Sequence, residues 1–93
     1  LTKAHLRYAG RADGIVTSGD LEVLSLSGTL SVDGMHLHLT VADRDGHTLG
    51  GHLLDGCLVR TTLELTVQEI GGVRMTRVHD PASGYDELEP TPE

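Results

Sequence analysis

Residues 35–42, Met35-His36-Leu37-His38-Leu39-Thr40-Val41-Ala42, alternate apolar and polar side chains along almost their whole length. A period of two is the signature of a β-strand with one face in a core and the other turned outward. Leu37, Leu39 and Val41 fall on one face, and His36, His38 and Thr40 on the other. Turn-forming residues bound the strand on both sides. Val32-Asp33-Gly34 precedes it, of the Asp-Gly type that favours hairpins, and Asp43-Arg44-Asp45-Gly46 follows it. A strand held between two tight turns predicts antiparallel neighbours.

The same reading extends outward over most of the chain. Residues 3–8 alternate and predict a strand, whereas 9–19 are rich in Gly and small residues and read as a loop. Residues 20–31 predict a strand in which Gly28 marks a bulge or a close backbone approach. A short segment, 47–50, leads into Gly51-His52-Leu53-Leu54. Residues 57–69 predict a long strand, with Val59, Thr61, Leu63, Leu65 and Val67 on one face and Arg60, Thr62, Glu64 and Thr66 on the other. Residues 73–79 predict one more. Pro81 and Gly84 frame a turn, and Pro90 and Pro92 end the ordered part, leaving 90–93 as a frayed acidic tail. No segment carries a helical period at normal length. The expectation is one small, mainly β domain over residues 1–89.

Composition narrows the function. In 93 residues the core is modest, and chains of this size often gain stability by oligomerising. With two Tyr and neither Phe nor Trp, that core must come from Leu, Val and Ile. Fourteen acids against seven Lys plus Arg give a net charge of −7, and the basic residues are scattered singly. A duplex-binding surface needs a basic patch to neutralise phosphates, and none is visible. The single cysteine, Cys57, excludes an internal disulfide and predicts a reducing, cytoplasmic location. No apolar run approaches the roughly 18 residues of a membrane span. The chain opens on Leu1-Thr2-Lys3, without Met, which suggests a start part-way into a longer domain.

Two imidazoles one residue apart on a strand, His36 and His38, share a face. Gly50-Gly51-His52 can bring a third to the same point, since the two glycines let the backbone approach closely. Three neutral imidazoles converging on one point make a zinc-type site with a fourth position open; the other reading is a solvated polar sheet face. His47 is an alternative third ligand and Cys57 a soft one, while His5 and His79 read as surface residues. Zinc is favoured over iron or nickel by ligand type and availability. On the polar face of the 57–69 segment, Glu64 is the candidate catalytic base, or a partner that orients an imidazole. Arg60 could hold an anionic group there; a surface charge pair is the alternative for both. No P-loop, dinucleotide fingerprint or Ser/His/Asp signature is present.

Several stretches together resemble the PPC (plants and prokaryotes conserved) domain family, bacterial and archaeal type. They are Leu24-Ser25-Leu26-Ser27-Gly28-Thr29, His36-Leu37-His38-Leu39, Asp43-Arg44-Asp45-Gly46, Gly50-Gly51-His52-Leu53-Leu54 and Gly56-Cys57, then Asp80-Pro81 and Gly84-Tyr85-Asp86-Glu87-Leu88. The resemblance implies an α+β domain with a curved, mostly antiparallel, barrel-like β-sheet and helix packing, assembled as a homotrimer. It also implies a further N-terminal strand–helix–strand segment. The family is commonly labelled DNA-binding and transcription-associated. In plant relatives DNA contact comes from separate Arg-Gly-Arg AT-hooks, and this chain has none. Their partner-recruiting segment is similar to Gly19-Asp20-Leu21-Glu22-Val23-Leu24, but Asp20 stands for a basic residue and Leu21 for an aromatic one. A more distant resemblance in sheet arrangement is to acetolactate decarboxylase, with zinc on an HxH pair and a later His; the matching positions are His36, His38 and His52.

Two functions are therefore expected. One is a homotrimeric PPC module with a three-histidine zinc site. The other is a small zinc-dependent lyase or hydrolase acting on a small carbonyl or carboxylate compound.

Overall fold

The computed structural model describes all residues, 1–93. It contains seven strands: β1 (Lys3–Arg7), β2 (Ile15–Ser18), β3 (Glu22–Ser31), β4 (Gly34–Ala42), β5 (Thr48–Leu53), β6 (Val73–His79) and β7 (Asp86–Pro92). Five of them form one sheet in the order β2-β1-β5-β4-β3, and β6 and β7 form a separate hairpin. The residues divide into two compact units, one of Leu1–Thr29 with His36–Glu64 and one of Leu30–Met35 with Leu65–Glu93.

The structure has neither the expected helix packing nor the expected barrel-like closure. The chain contains no helix, and the sheet is open, because its edge strands β2 and β3 do not pair with each other. The fold is all-β and antiparallel. The physical reason lies in the patterning: period two dominates the longer segments, and a period-two chain cannot present one apolar stripe on a helix.

Alternation sets the core of the first unit. In β1, Ala4 and Leu6 are fully buried while Lys3, His5 and Arg7 are half-buried on the other face. In β4, Leu39 and Val41 are buried, and Leu21 joins them from just before β3. Leu1, Tyr8, Val23, Leu26, Leu49 and Leu53 pack around this group. The Leu21 backbone N–H donates to the Leu1 carbonyl at 2.9 Å, which ties this segment to the same core.

Two segments depart from their sequence reading. Residues 15–18, read within a loop, form β2 and pair with β1 from Lys3↔Ser18 to Leu6↔Ile15. The β-branched run Ile15-Val16-Thr17 was the signal, masked by the glycines at 14 and 19. Residues 57–69, read as a long strand, make only one bridge, Lys3↔Leu58, and residues 59–70 pair with nothing in this chain. Alternation prepares a face for burial but does not supply a partner for the backbone N–H and C=O groups. Val59, Leu63, Leu65, Val67 and Ile70 consequently stand exposed.

In the second unit, β6 and β7 pair throughout, from Val73↔Pro92 to His79↔Asp86. Residues 90–93, read as a tail, thus carry the end of β7, with Pro90 opposite Met75. Proline cannot donate to a ladder, and a two-stranded hairpin has only edge strands, where this is tolerated. The Asp33 carboxylate at the β3–β4 turn accepts the backbone N–H of Arg77 at 2.8 Å, within the same unit.

Candidate metal centre

The sheet register assembles the histidines. His38 of β4 lies directly opposite His52 of β5, so both side chains leave the sheet on the same face. His36 is two residues along β4 and shares that face. The ring centroids stand 5.0 Å (His36–His38), 5.3 Å (His36–His52) and 5.7 Å (His38–His52) apart. One nitrogen from each ring lies within 4.8 Å of the others.

Glycines make this register possible at two points. A Cβ on Gly51 would sit 2.7 Å from the Arg7 carbonyl oxygen, so β5 can lie this close to β1 only with glycine there. Gly28 in β3 has φ 150°, and a Cβ there would sit 2.0 Å from the His36 carbonyl oxygen. The expected close approach at Gly28 is therefore real, and it is made to the backbone of the first histidine.

A tetrahedral zinc with Zn–N bonds of about 2.0–2.1 Å needs nitrogens about 3.4 Å apart. Small ring rotations close the difference, because His36 and His38 are exposed and His52 half-buried. The protonation state also suits a metal. Burial first, then the charges of Arg7, His36 and His38, lower the His52 pKa below its ordinary value. The neutral imidazole that results is the ligating form. The residues fit a three-imidazole zinc site on a solvent-facing sheet surface.

The remaining candidates lie elsewhere. His47 sits in the β4–β5 turn, its Nδ1 3.5 Å from Asp43, and it is His52 rather than His47 that gathers with His36 and His38. Asp43, Asp45 and His47 form a second group of potential ligand atoms. Asp43 Oδ1 accepts the backbone N–H groups of Asp45 and His47, each at 2.9 Å. Desolvation alone would raise the Asp43 pKa, but these bonds and the His47 side chain bring it below the usual value. That arrangement is a turn stabilised by its own aspartate.

Cys57 Sγ is turned to backbone, 3.3 Å from the His5 nitrogen and 3.6 Å from the Leu54 oxygen. His5 Nδ1 donates to the Asp55 carbonyl at 2.6 Å, and His79 lies 3.5 Å from Asp86. Arg60 pairs with Asp20. Glu64 lines a shallow depression with Leu1, Asp20, Val23, Asp43 and Arg60, and none of the three histidines borders it.

One neighbour of the cluster escaped the sequence reading. Arg7 of β1 is register-paired with His52 on the side away from His38. Alternation along 3–8 places Arg7 on a polar face, but nothing local shows that β1 lies beside β5.

Residues 1–71 match the Plants and Prokaryotes Conserved (PCC) domain. The chain is 49% identical over 88 residues to the bifunctional protein GlmU of Synechococcus sp. strain JA-3-3Ab, and 50% identical over 88 residues to that of strain JA-2-3B'a(2-13). Each match covers 95% of this chain but only 14% of the relative's length. The solved structure of a hypothetical protein from Salmonella cholerae-suis (Salmonella enterica) superposes with a TM-score of 0.95 at 47% identity, covering 99% of this chain and 67% of that one. No helix of the chain is long and apolar enough to cross a membrane.

Proposed function

The chain belongs to the Plants and Prokaryotes Conserved domain family, and from that premise we propose a homotrimeric, cytoplasmic module that holds one zinc ion per chain on His36, His38 and His52. The observation that carries the metal is the His38↔His52 register pair with His36 on the same face. Self-assembly is supported by an imbalance. Only Ala4, Leu6, Leu21, Leu39 and Val41 are buried, whereas thirteen large hydrophobic residues are exposed. So small a core leaves a lone chain marginal, and exposed apolar area of this extent belongs at an interface. The 59–70 segment, which has no ladder partner within this chain, offers such an interface exposed apolar side chains and backbone groups open to strand pairing.

Native mass spectrometry of untagged protein purified without chelators tests both parts at once. The expected species has three times the chain mass of 9.9 kDa and one zinc per chain. A metal-free species after incubation with zinc removes the metal. A monomer at micromolar concentration removes the assembly.

A second reading, a small zinc-dependent lyase or hydrolase, is favoured by the exposure of the cluster and by its having three protein ligands rather than four. Zinc, when bound, supplies Lewis-acid polarisation and an acidified water. Glu64, the base expected for this reading, lines a depression that none of the three histidines borders, so the cluster has no base beside it from that residue. The DNA label of the family is not adopted, because the net charge is −7. Duplex DNA is expected to show no gel shift with this chain even at about 50 mM salt, where phosphate-driven binding is strong. A shift that weakens steeply as salt rises would restore the DNA reading.

A further inference from the structure

We propose that Arg7 is an anion-positioning residue of the three-histidine centre, and that the centre takes a small carboxylate ligand held by the Arg7 guanidinium beside His52. This rests on the metal reading above and goes beyond it by naming the ligand class.

The register supplies the geometry. Arg7, His52 and His38 form one row across β1, β5 and β4, all three on the outer face. Neighbouring strands lie about 4.8 Å apart, well within the reach of an arginine side chain. The next pair along β4 and β5 on that face is Thr40↔Gly50. Of that pair only Thr40 carries a side chain, a short one ending in a hydroxyl, which leaves room for a small molecule between the two strands.

Charge supplies the argument for an anion. Arg7 is half-buried, and no carboxylate stands within ion-pair distance of it. What distinguishes it from the other cations without an ion pair is its place, half-buried and register-paired with His52. Three neutral imidazoles do nothing to offset a divalent cation, so a neighbouring guanidinium adds like charge to the same place. Such an arrangement is stable when an anion joins the two charges. A carboxylate fits, because the planar guanidinium donates two parallel hydrogen bonds to its oxygens.

The test uses the full chain loaded with cobalt(II), whose visible absorption reports on its coordination. Acetate is the probe and acetamide its neutral counterpart. Acetate is expected to change the spectrum saturably, and acetamide is not. Arg7→Gln should still bind one cobalt per chain, but half-saturation should need about tenfold more acetate, the effect of losing a charge-assisted hydrogen bond. Arg7→Lys keeps the charge without the two-pronged donor and should weaken acetate about threefold, carrying the test if Arg7→Gln does not fold. Unchanged half-saturation in the variants, or an equal response to acetamide, overturns the role of Arg7. Failure of the wild-type chain to take up cobalt overturns the metal centre itself, so the two failures are distinct.

Discussion

His38→Ala is expected to abolish zinc binding while leaving the fold and the assembly intact. His38 is the middle of the cluster: it faces His52 across the β4–β5 ladder and shares a face with His36. Its loss leaves two imidazoles, too few to hold zinc in a three-ligand site. Affinity should fall by more than about 100-fold, the upper effect of losing even an outer partner of a ligand. The cost to the metal-free fold should be small, within about 0.5 kcal/mol, because His38 is exposed and packs no core. The two effects separate in thermal denaturation. With zinc at a thousand times the wild-type dissociation constant, wild type gains about 4 kcal/mol, whereas a variant at least about 100-fold weaker gains at most about 1.4 kcal/mol. Without zinc, both melt together. His47→Ala, in the β4–β5 turn, serves as the control and should bind zinc normally. Zinc per chain, measured by plasma mass spectrometry alongside the melting curves, decides the matter. A His38→Ala protein that keeps its zinc places the metal elsewhere. One that loses its oligomeric state makes the centre structural.

The histidine cluster was legible because each step to it is local. Period two puts His36 and His38 on one face, and a short turn at 43–46 returns the chain beside itself. Gly50-Gly51 then marks the place where the returning strand must come close. Arg7 was not legible for the opposite reason. Its position beside His52 depends on β1 joining β5 across more than forty residues, and a strand's pattern names its faces but not its neighbours. The same limit explains residues 57–69. Their alternation is as regular as that of β4, yet β4 has ladders on both sides and residues 59–70 have none within this chain. Helix packing was an expectation of the family resemblance alone, and no periodicity in the residues called for it.

Gly28→Ala is expected to produce the largest loss of stability among single-atom-scale changes in the first unit. Gly28 has φ 150°, and a Cβ there would meet the His36 carbonyl oxygen at 2.0 Å and the Leu37 Cα at 2.9 Å. Both obstacles are backbone, so no side chain can swing aside. β3 would have to part from β4 or rotate its own backbone. A conformation outside the regions open to non-glycine residues costs about 1–3 kcal/mol, and overpacking costs a similar amount, so a loss of about 3 kcal/mol follows. A domain of this size has only about 5–14 kcal/mol in total. The melting temperature should therefore drop by roughly 12–24 °C. Ser27→Ala, at the exposed neighbouring position, should melt with wild type. The substitution also displaces the carbonyl of His36, and with it the first ligand, so zinc affinity should fall even where the protein still folds. Thermal melting with and without zinc reads both effects. A melting temperature within about 2 °C of wild type would mean that β3 accommodates a methyl group against β4. In that case Gly28 would not be what holds His36 in register with its two partners.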